Sequence, residues 1–270
     1  MYSQKKYQTS LGDIMTFSND NLSCIKIAWF LVFLNSEKKH NMAIDNYILV
    51  EGFKHLKYNP VIYTANEMME RSKNYFELMH KRRSVREFSD KEIPIEIIQN
   101  IIKTAATAPS GANKQPWTFC VVKNAEIKRK IRLAAEEEER KSYDERMSET
   151  WLEDLKKLGT DANKPFLEKA PYLIVVFKRP FEVDANGNKH QNYYVNESVG
   201  LACGILISAI HNAGLVTLTH TPSPMRFLEK ILDRPKNERA FLLLPVGYGA
   251  AEMYVPDICR KSLDEVVKMY

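Results

Sequence analysis

The stretch VGLACGILISAI, Val199 to Ile210, is apolar nearly all the way round a helix of 3.6 residues per turn. A helix without a polar face has to lie buried, with other elements packed on several sides. The periodicity extends it from about Gln191 to Ala213, and Gly214 stops it. Such a helix needs a sizeable core around it. A chain of 270 residues with 44% hydrophobic and 27% charged side chains can build one. Disorder, a collagen-like rod and a membrane bundle are excluded by the same figures.

The other elements follow from shorter signals. Thr64-Ala-Asn-Glu67 is a capping box and predicts a helix of about 18 residues, running to Arg82-Arg83. Pro94 at a first helical position, followed by Ile97, Ile98, Ile101, Ile102 and Ala105, predicts a core-facing helix to Thr107. The turn Ala108 to Asn113 leads to a strand from Trp117 to Lys123, and Asn124 caps a long charged helix. Tyr172 to Lys178 (YLIVVFK) reads as a buried strand, and Asp184 to Lys189 as a turn. Strands are expected over Leu215 to Thr219 and Phe241 to Val246, with a helix from about Pro224 to Leu232 between them. Helices outnumber strands without clean alternation, which favours an α+β class. No repeat and no linker interrupts the chain after residue 64, so one domain is expected over residues 61–270.

Residues 1–60 show no sustained period and read as an extension outside that domain. Met42 is a candidate internal start, and a partner-binding arm is the alternative for residues 1–41. The run Ile27 to Leu34 has eight apolar residues, where a bilayer span takes about 20. It also lacks the short basic start and small-residue cleavage site of a signal peptide. No membrane association is expected, and the location expected is cytoplasmic. Cys24, Cys120, Cys203 and Cys259 lie too far apart for a zinc knuckle or redox dithiol, so they read as reduced, mostly buried thiols. The six histidines show no metal-ligand spacing, and no metal is expected.

The net charge of +5 is scattered among acids, with no Lys/Arg stripe and interleaved aromatics, so no nucleic-acid partner is expected. Local clusters for small anions stand out instead. Arg82-Arg83-Ser84-Val85-Arg86 places three guanidinium groups in five residues, which suits a phosphomonoester, although a solvated basic helix end would look the same. Ser110-Gly111-Ala112 is a turn that permits close backbone approach. Thr217 to Thr221 offers hydroxyls and an imidazole at a strand end, and Arg260 adds a further guanidinium. Glu139 and Tyr143 are four apart on one helical face, and Lys164 lies beyond Gly159 with the opposite charge. Alone, Glu136 to Glu139 reads as a solvated acidic run on a surface helix.

In order along the chain, these segments resemble the nitroreductase superfamily of flavin mononucleotide enzymes and, within it, the iodotyrosine deiodinases. The resemblance runs from about Glu67 to Leu263 and rests on KRRSVREFS (81–89), TAPSGANKQPWTF (107–119), EEEERKSY (136–143), DLKKLGT (154–160), ACGIL (202–206), NAGLVTLTHTP (212–222), LLPVGY (243–248) and VPDICRK (255–261). It implies a mixed sheet flanked by helices, an intertwined homodimer, and FMN at the subunit interface. By this resemblance Arg82, Arg83, Ser84, Val85, Arg86 and Arg260 hold the flavin, and Ser110 and Gly111 line it from the facing subunit. Thr219, His220 and Thr221 match the segment beside the isoalloxazine, with the Thr221 hydroxyl donating to flavin N5 as the catalytic contact. Such a donor favours electrons leaving singly over hydride transfer. Glu139, Tyr143 and Lys164 match the lid residues, within about residues 136–165, that grip a halotyrosine head group, and the Ala112 N–H matches the contact to its phenolate.

Three departures stand out, the first being a shorter loop from Ser223 to Arg226. The membrane anchor of the animal members has no convincing match at residues 24–34, and His220 stands where those members carry another hydroxyl. The activity implied is reductive dehalogenation of 3-iodotyrosine and 3,5-diiodotyrosine to tyrosine and halide. The alternatives are an NAD(P)H-dependent nitro or quinone reductase, and a flavin-containing protein that only binds a tyrosine derivative. No Gly-rich dinucleotide fingerprint follows a predicted strand, so NADPH and an electron-transfer protein both stay open as reductant.

Overall fold

The computed structural model describes residues 46–270; Cys24, Ile27 to Leu34 and Met42 lie outside the described residues. The chain divides into two compact units between Glu67 and Met68. In the first, β1 (Tyr47–Val50) and β2 (Phe53–Leu56) form an antiparallel hairpin with Val50 opposite Phe53. Its turn is Glu51-Gly52, both with positive φ, the geometry that two-residue hairpin turns demand. This hairpin was not foreseen. The expected capping box is present: Thr64 N–H donates to Glu67 at 2.8 Å, and Glu67 N–H returns to Thr64 Oγ1 at 3.3 Å.

The helix it starts, α1 (Ala65–His80), ends two residues short of Arg82. In the second unit come α2 (Ile95–Ala105), a single-turn helix Gly111–Asn113, β3 (Trp117–Val122) and α3 (Ala125–Lys141). The Asn124 side chain accepts from Ile127 N–H at 3.0 Å, as its capping role predicts. A π-turn, Ser142–Arg146, leads into α4 (Glu149–Lys156) and α5 (Phe166–Lys169). The rest of the unit is β4 (Tyr172–Lys178), β5 (Phe181–Val183), β6 (Lys189–Gln191), α6 (Val195–Asn212), β7 (Val216–Thr217), α7 (Arg226–Ile231), β8 (Arg239–Gly247) and α8 (Leu263–Val266).

The main sheet has the order β3-β4-β8-β7, with every adjacent pair antiparallel. A parallel bridge from Ser84 to Thr217 makes it mixed. Successive residues of β4 point to opposite faces. Ile174 and Val176 pack against α2 and α6 through Ile98, Ile101, Ala202 and Leu206. Leu173, Val175 and Phe177 pack against Phe88, Ile131, Leu167 and Leu228 on the other side. Helices thus cover both faces, which explains the unbroken apolar run of β4.

The all-apolar helix is buried as expected, but α6 begins at Val195 and not near Gln191. Lys189–Gln191 pairs with Phe181–Val183 across the Asp184 turn, and Asn192 N–H donates to the Pro180 carbonyl at 2.9 Å. The backbone then enters the helix through Tyr194 in a left-handed conformation, φ 47°. Of the three described thiols, Cys203 is buried and its pKa is pushed up to about 12, Cys120 is half-buried and Cys259 is exposed, so fewer are buried than the mostly buried set expected. Among the described residues, no helix is long and apolar enough to cross a membrane, and no group of three or more His, Cys, Asp or Glu could hold a metal.

Candidate active site

The Arg82 to Arg86 segment leaves α1 and runs beside β7, where Val85 N–H donates to the Thr217 carbonyl at 3.2 Å. Val85 is buried, which fixes the backbone and leaves its neighbours free to face a cavity of about 330 Å³. Arg82, Arg83, Ser84 and Arg86 line that cavity from one side, and Arg260 lines it from the C-terminal segment. Arg260 is braced by two backbone carbonyls, His80 at 3.0 Å and Arg82 at 2.7 Å, and Arg83 donates to the carbonyl of Pro256. Burial lowers the pKa of Arg82, and the neighbouring Arg260 and Arg83 lower it further. Among the described residues, no carboxylate pairs with any of these arginines. Clustered guanidinium groups without a counter-charge around a cavity fit a dianionic phosphate, and so fit the phosphate of FMN.

Arg86 also lines a second cavity, of about 180 Å³, together with Glu139, Tyr143, Lys164, Thr219, His220 and Thr221. Seven residues singled out from sequence, scattered over 136 positions (86 to 221), therefore meet in one place. Lys164 Nζ is 3.6 Å from Glu139 Oε2 and donates to Thr160 Oγ1 at 3.2 Å and to the Asp161 carbonyl. Burial pushes the Glu139 carboxyl pKa up, and Lys164 opposes it. Burial pushes the Lys164 ammonium down, and Glu139 and Asp161 oppose that shift. Tyr143 donates to the Thr160 carbonyl at 3.1 Å, and burial raises its phenol pKa.

The strand end after β7 alternates: Thr219 and Thr221 are exposed, and His220 between them is buried. Arg146, in the π-turn, donates to Glu138 at 3.1 Å and to the Ser223 carbonyl at 3.0 Å, tying the segment after α3 to the loop beyond Thr221.

Ser110, Gly111 and Ala112 line neither cavity. Their turn is tightly held: Ser110 Oγ accepts from Gln115 N–H at 2.9 Å, and Ala112 and Asn113 have positive φ. A Cβ on Gly111 would sit 3.0 Å from both the Tyr193 carbonyl and the Tyr194 ring. The sequence reading missed Thr160, which holds both Tyr143 and Lys164, and the apolar residues Met147, Trp151 and Leu155 of the second cavity. The stripe Trp151, Leu155, Leu158 at helical spacing was the available signal; Leu158 reaches the first cavity.

The nitroreductase family model matches residues 79–248. Iodotyrosine deiodinase of Haliscomenobacter hydrossis is 60% identical over 208 residues, covering 77% of this chain and 94% of that protein. Iodotyrosine deiodinase 1 of Homo sapiens is 48% identical over 220 residues, covering 80% of this chain and 75% of the human one. The crystal structure of an oxidised iodotyrosine deiodinase bound to FMN and 3-iodo-L-tyrosine superposes with a TM-score of 0.62 at 32% identity, covering 73% of this chain and 98% of that one. On the strength of these matches and of the two cavities joined at Arg86, the chain belongs to the nitroreductase family and, within it, to the iodotyrosine deiodinases.

Proposed function

We propose that this protein is an FMN-dependent oxidoreductase that removes halide reductively from 3-iodotyrosine and 3,5-diiodotyrosine, returning tyrosine. The observation that carries this reading is the enclosure of one carboxylate, Glu139, and one ammonium, Lys164, in the cavity that shares Arg86 with the arginine cluster. A site with both charges matches both ends of an amino-acid zwitterion. A nitro or quinone substrate would need neither.

FMN, when bound and reduced, would supply the two electrons that, with one proton, convert carbon–halogen to carbon–hydrogen and halide. Arg82, Arg83 and Arg260 hold its phosphate, and Ser84, Arg86, Thr219 and Thr221 serve the rest of the cofactor. Glu139 binds the substrate ammonium, Lys164 its carboxylate, and Tyr143 closes over the head group. A halogen ortho to the hydroxyl lowers the phenol pKa from about 10, so the phenolate is accessible near neutral pH. The Ala112 N–H receives it, and Trp151 and Leu155 exclude water from the ring.

Since Ser110, Gly111 and Ala112 lie outside both cavities of their own chain, a homodimer in which they serve the partner's site accounts for their placement. The catalytic unit comprises residues 61–270 with its lid at about 136–165. NADPH or an electron-transfer protein reduces the flavin, and the enzyme works in the cytoplasm. The first test is an anaerobic titration of the dithionite-reduced holoprotein with 3-iodotyrosine. Stoichiometric flavin reoxidation with release of tyrosine and iodide is expected. A flavin that stays reduced with iodotyrosine but is oxidised by nitroaromatics would overturn the substrate.

A further inference from the structure

Glu139 offers two carboxylate oxygens, and each has a different neighbour. Oε2 faces Lys164 Nζ at 3.6 Å, and Oε1 faces His220 Nδ1 at 3.9 Å. His220 is held from both sides. Its N–H donates to the Leu243 carbonyl at 2.9 Å, its carbonyl accepts from Leu243 N–H at 3.1 Å, and its ring stands edge-on to Phe166 with centroids 5.8 Å apart. The imidazole therefore has little freedom to turn away from Glu139.

Its chemistry is equally constrained. Burial, assisted by Lys164 and Arg86, pushes its pKa down to about 3, so the ring is neutral near neutral pH. Nε2 is buried without a hydrogen-bond partner among the described residues. A neutral imidazole carries one N–H, and an orphaned buried N–H costs more than an orphaned lone pair. The proton thus belongs on Nδ1, the nitrogen that has an acceptor in front of it.

We propose that His220 is a positioning residue for substrate recognition, its Nδ1–H fixing the Glu139 carboxylate so that Oε2 is presented to the substrate ammonium. This rests on the head-group roles given above to Glu139 and Lys164. In the free protein Lys164 orients Glu139; when Lys164 turns to the substrate carboxylate, that restraint is lost. His220 then supplies the other one. At 3.9 Å the pair is not yet hydrogen-bonded, so a carboxylate movement of roughly 1 Å closes it.

The test compares FMN-loaded wild type with His220→Leu and His220→Asn, reading dissociation constants by flavin fluorescence. 3-Iodotyrosine is the probe with a head group, and 2-iodophenol the one without. A hydrogen bond to a charged group sets the expectation: in His220→Leu the ratio of the constant for 3-iodotyrosine to that for 2-iodophenol rises roughly tenfold. His220→Asn, which keeps an N–H near the Nδ1 position, recovers most of it. In [15N]histidine-labelled wild type, the His220 signals should report the Nδ1–H tautomer. An unchanged ratio in His220→Leu, parallel weakening of both ligands, or an Nε2–H tautomer overturns the proposal. A wild type that binds 3-iodotyrosine without releasing iodide after reduction would overturn the proposed function instead, leaving this comparison intact.

Discussion

Lys164 Nζ stands 3.6 Å from Glu139 Oε2, and the two side chains are only 4% and 12% exposed. Each holds the other in its charged form against a desolvation that favours neutrality. Removing one leaves an uncompensated charge, so Lys164→Met should destabilise the protein by about 3 kcal/mol, the low end for buried pairs because the cavity admits water. Urea unfolding of the holoprotein measures it. The same variant should weaken 3-iodotyrosine binding far more than 2-iodophenol binding.

His220 makes stability depend on pH in a definite direction. Its folded pKa of about 3 lies below the ordinary 6.5, so between those values the unfolded chain takes up a proton that the folded chain refuses. The contribution is fully present above pH 6.5 and is lost as pH falls toward 3, at up to about 1.4 kcal/mol per pH unit. Urea unfolding between pH 7 and 5 should show a steeper loss in wild type than in His220→Asn. Parallel curves would contradict the neutral, buried imidazole.

The arginine cluster predicts how the cofactor is held. Arg260→Ala removes one guanidinium and frees the carbonyls of His80 and Arg82 that it now binds. FMN affinity should fall about 10- to 100-fold, as expected for a charge-assisted hydrogen bond. Riboflavin, which lacks the phosphate, should lose much less. Fluorescence titration of apoprotein at two salt concentrations separates the cases, since the FMN difference should shrink at high salt.

Gly247 ends β8 where Phe88 and Pro171 approach the backbone. A Cβ there would meet Pro171 Cδ at 2.7 Å and Phe88 Cδ1 at 2.9 Å, and Phe88 is fully buried. Gly247→Ala should therefore cost about 2 kcal/mol by overpacking, seen as a lower Tm. Gly204→Ala on α6, with open space around its Cβ, is the control and should change little.

What the sequence made legible follows from how local each signal was. β4 and α6 could be read because burial on both faces leaves an unbroken apolar run, and Asn124 and the Thr64 to Glu67 box carry their hydrogen bonds within four residues. The start of α6 was misplaced because Asn192 is bound to Pro180 and Arg179, partners more than ten residues away. Thr160 escaped notice for a related reason: it reaches Tyr143 and Lys164 only after the chain turns at Gly159, φ +58°. The hairpin at Tyr47–Leu56 was overlooked because its side chains, mostly exposed, give no alternation to read. Glu139, Tyr143 and Lys164 stood out only through the resemblance carried by EEEERKSY and its neighbours, since spacing and charge alone leave Glu136 to Glu139 a solvated acidic run, and their meeting with Arg86 and His220 needed the fold.

Arg86 belongs to the walls of both cavities, so under the proposed function a single side chain would contribute to two binding equilibria. If an occupant of one cavity changes the affinity of the other, the second must change the first by the same factor, whichever arrives first. Affinities measured for cofactor and substrate separately would then fail to add, and a thermodynamic box of four titrations, repeated in Arg86→Ala, would read how much of that shortfall passes through one guanidinium group.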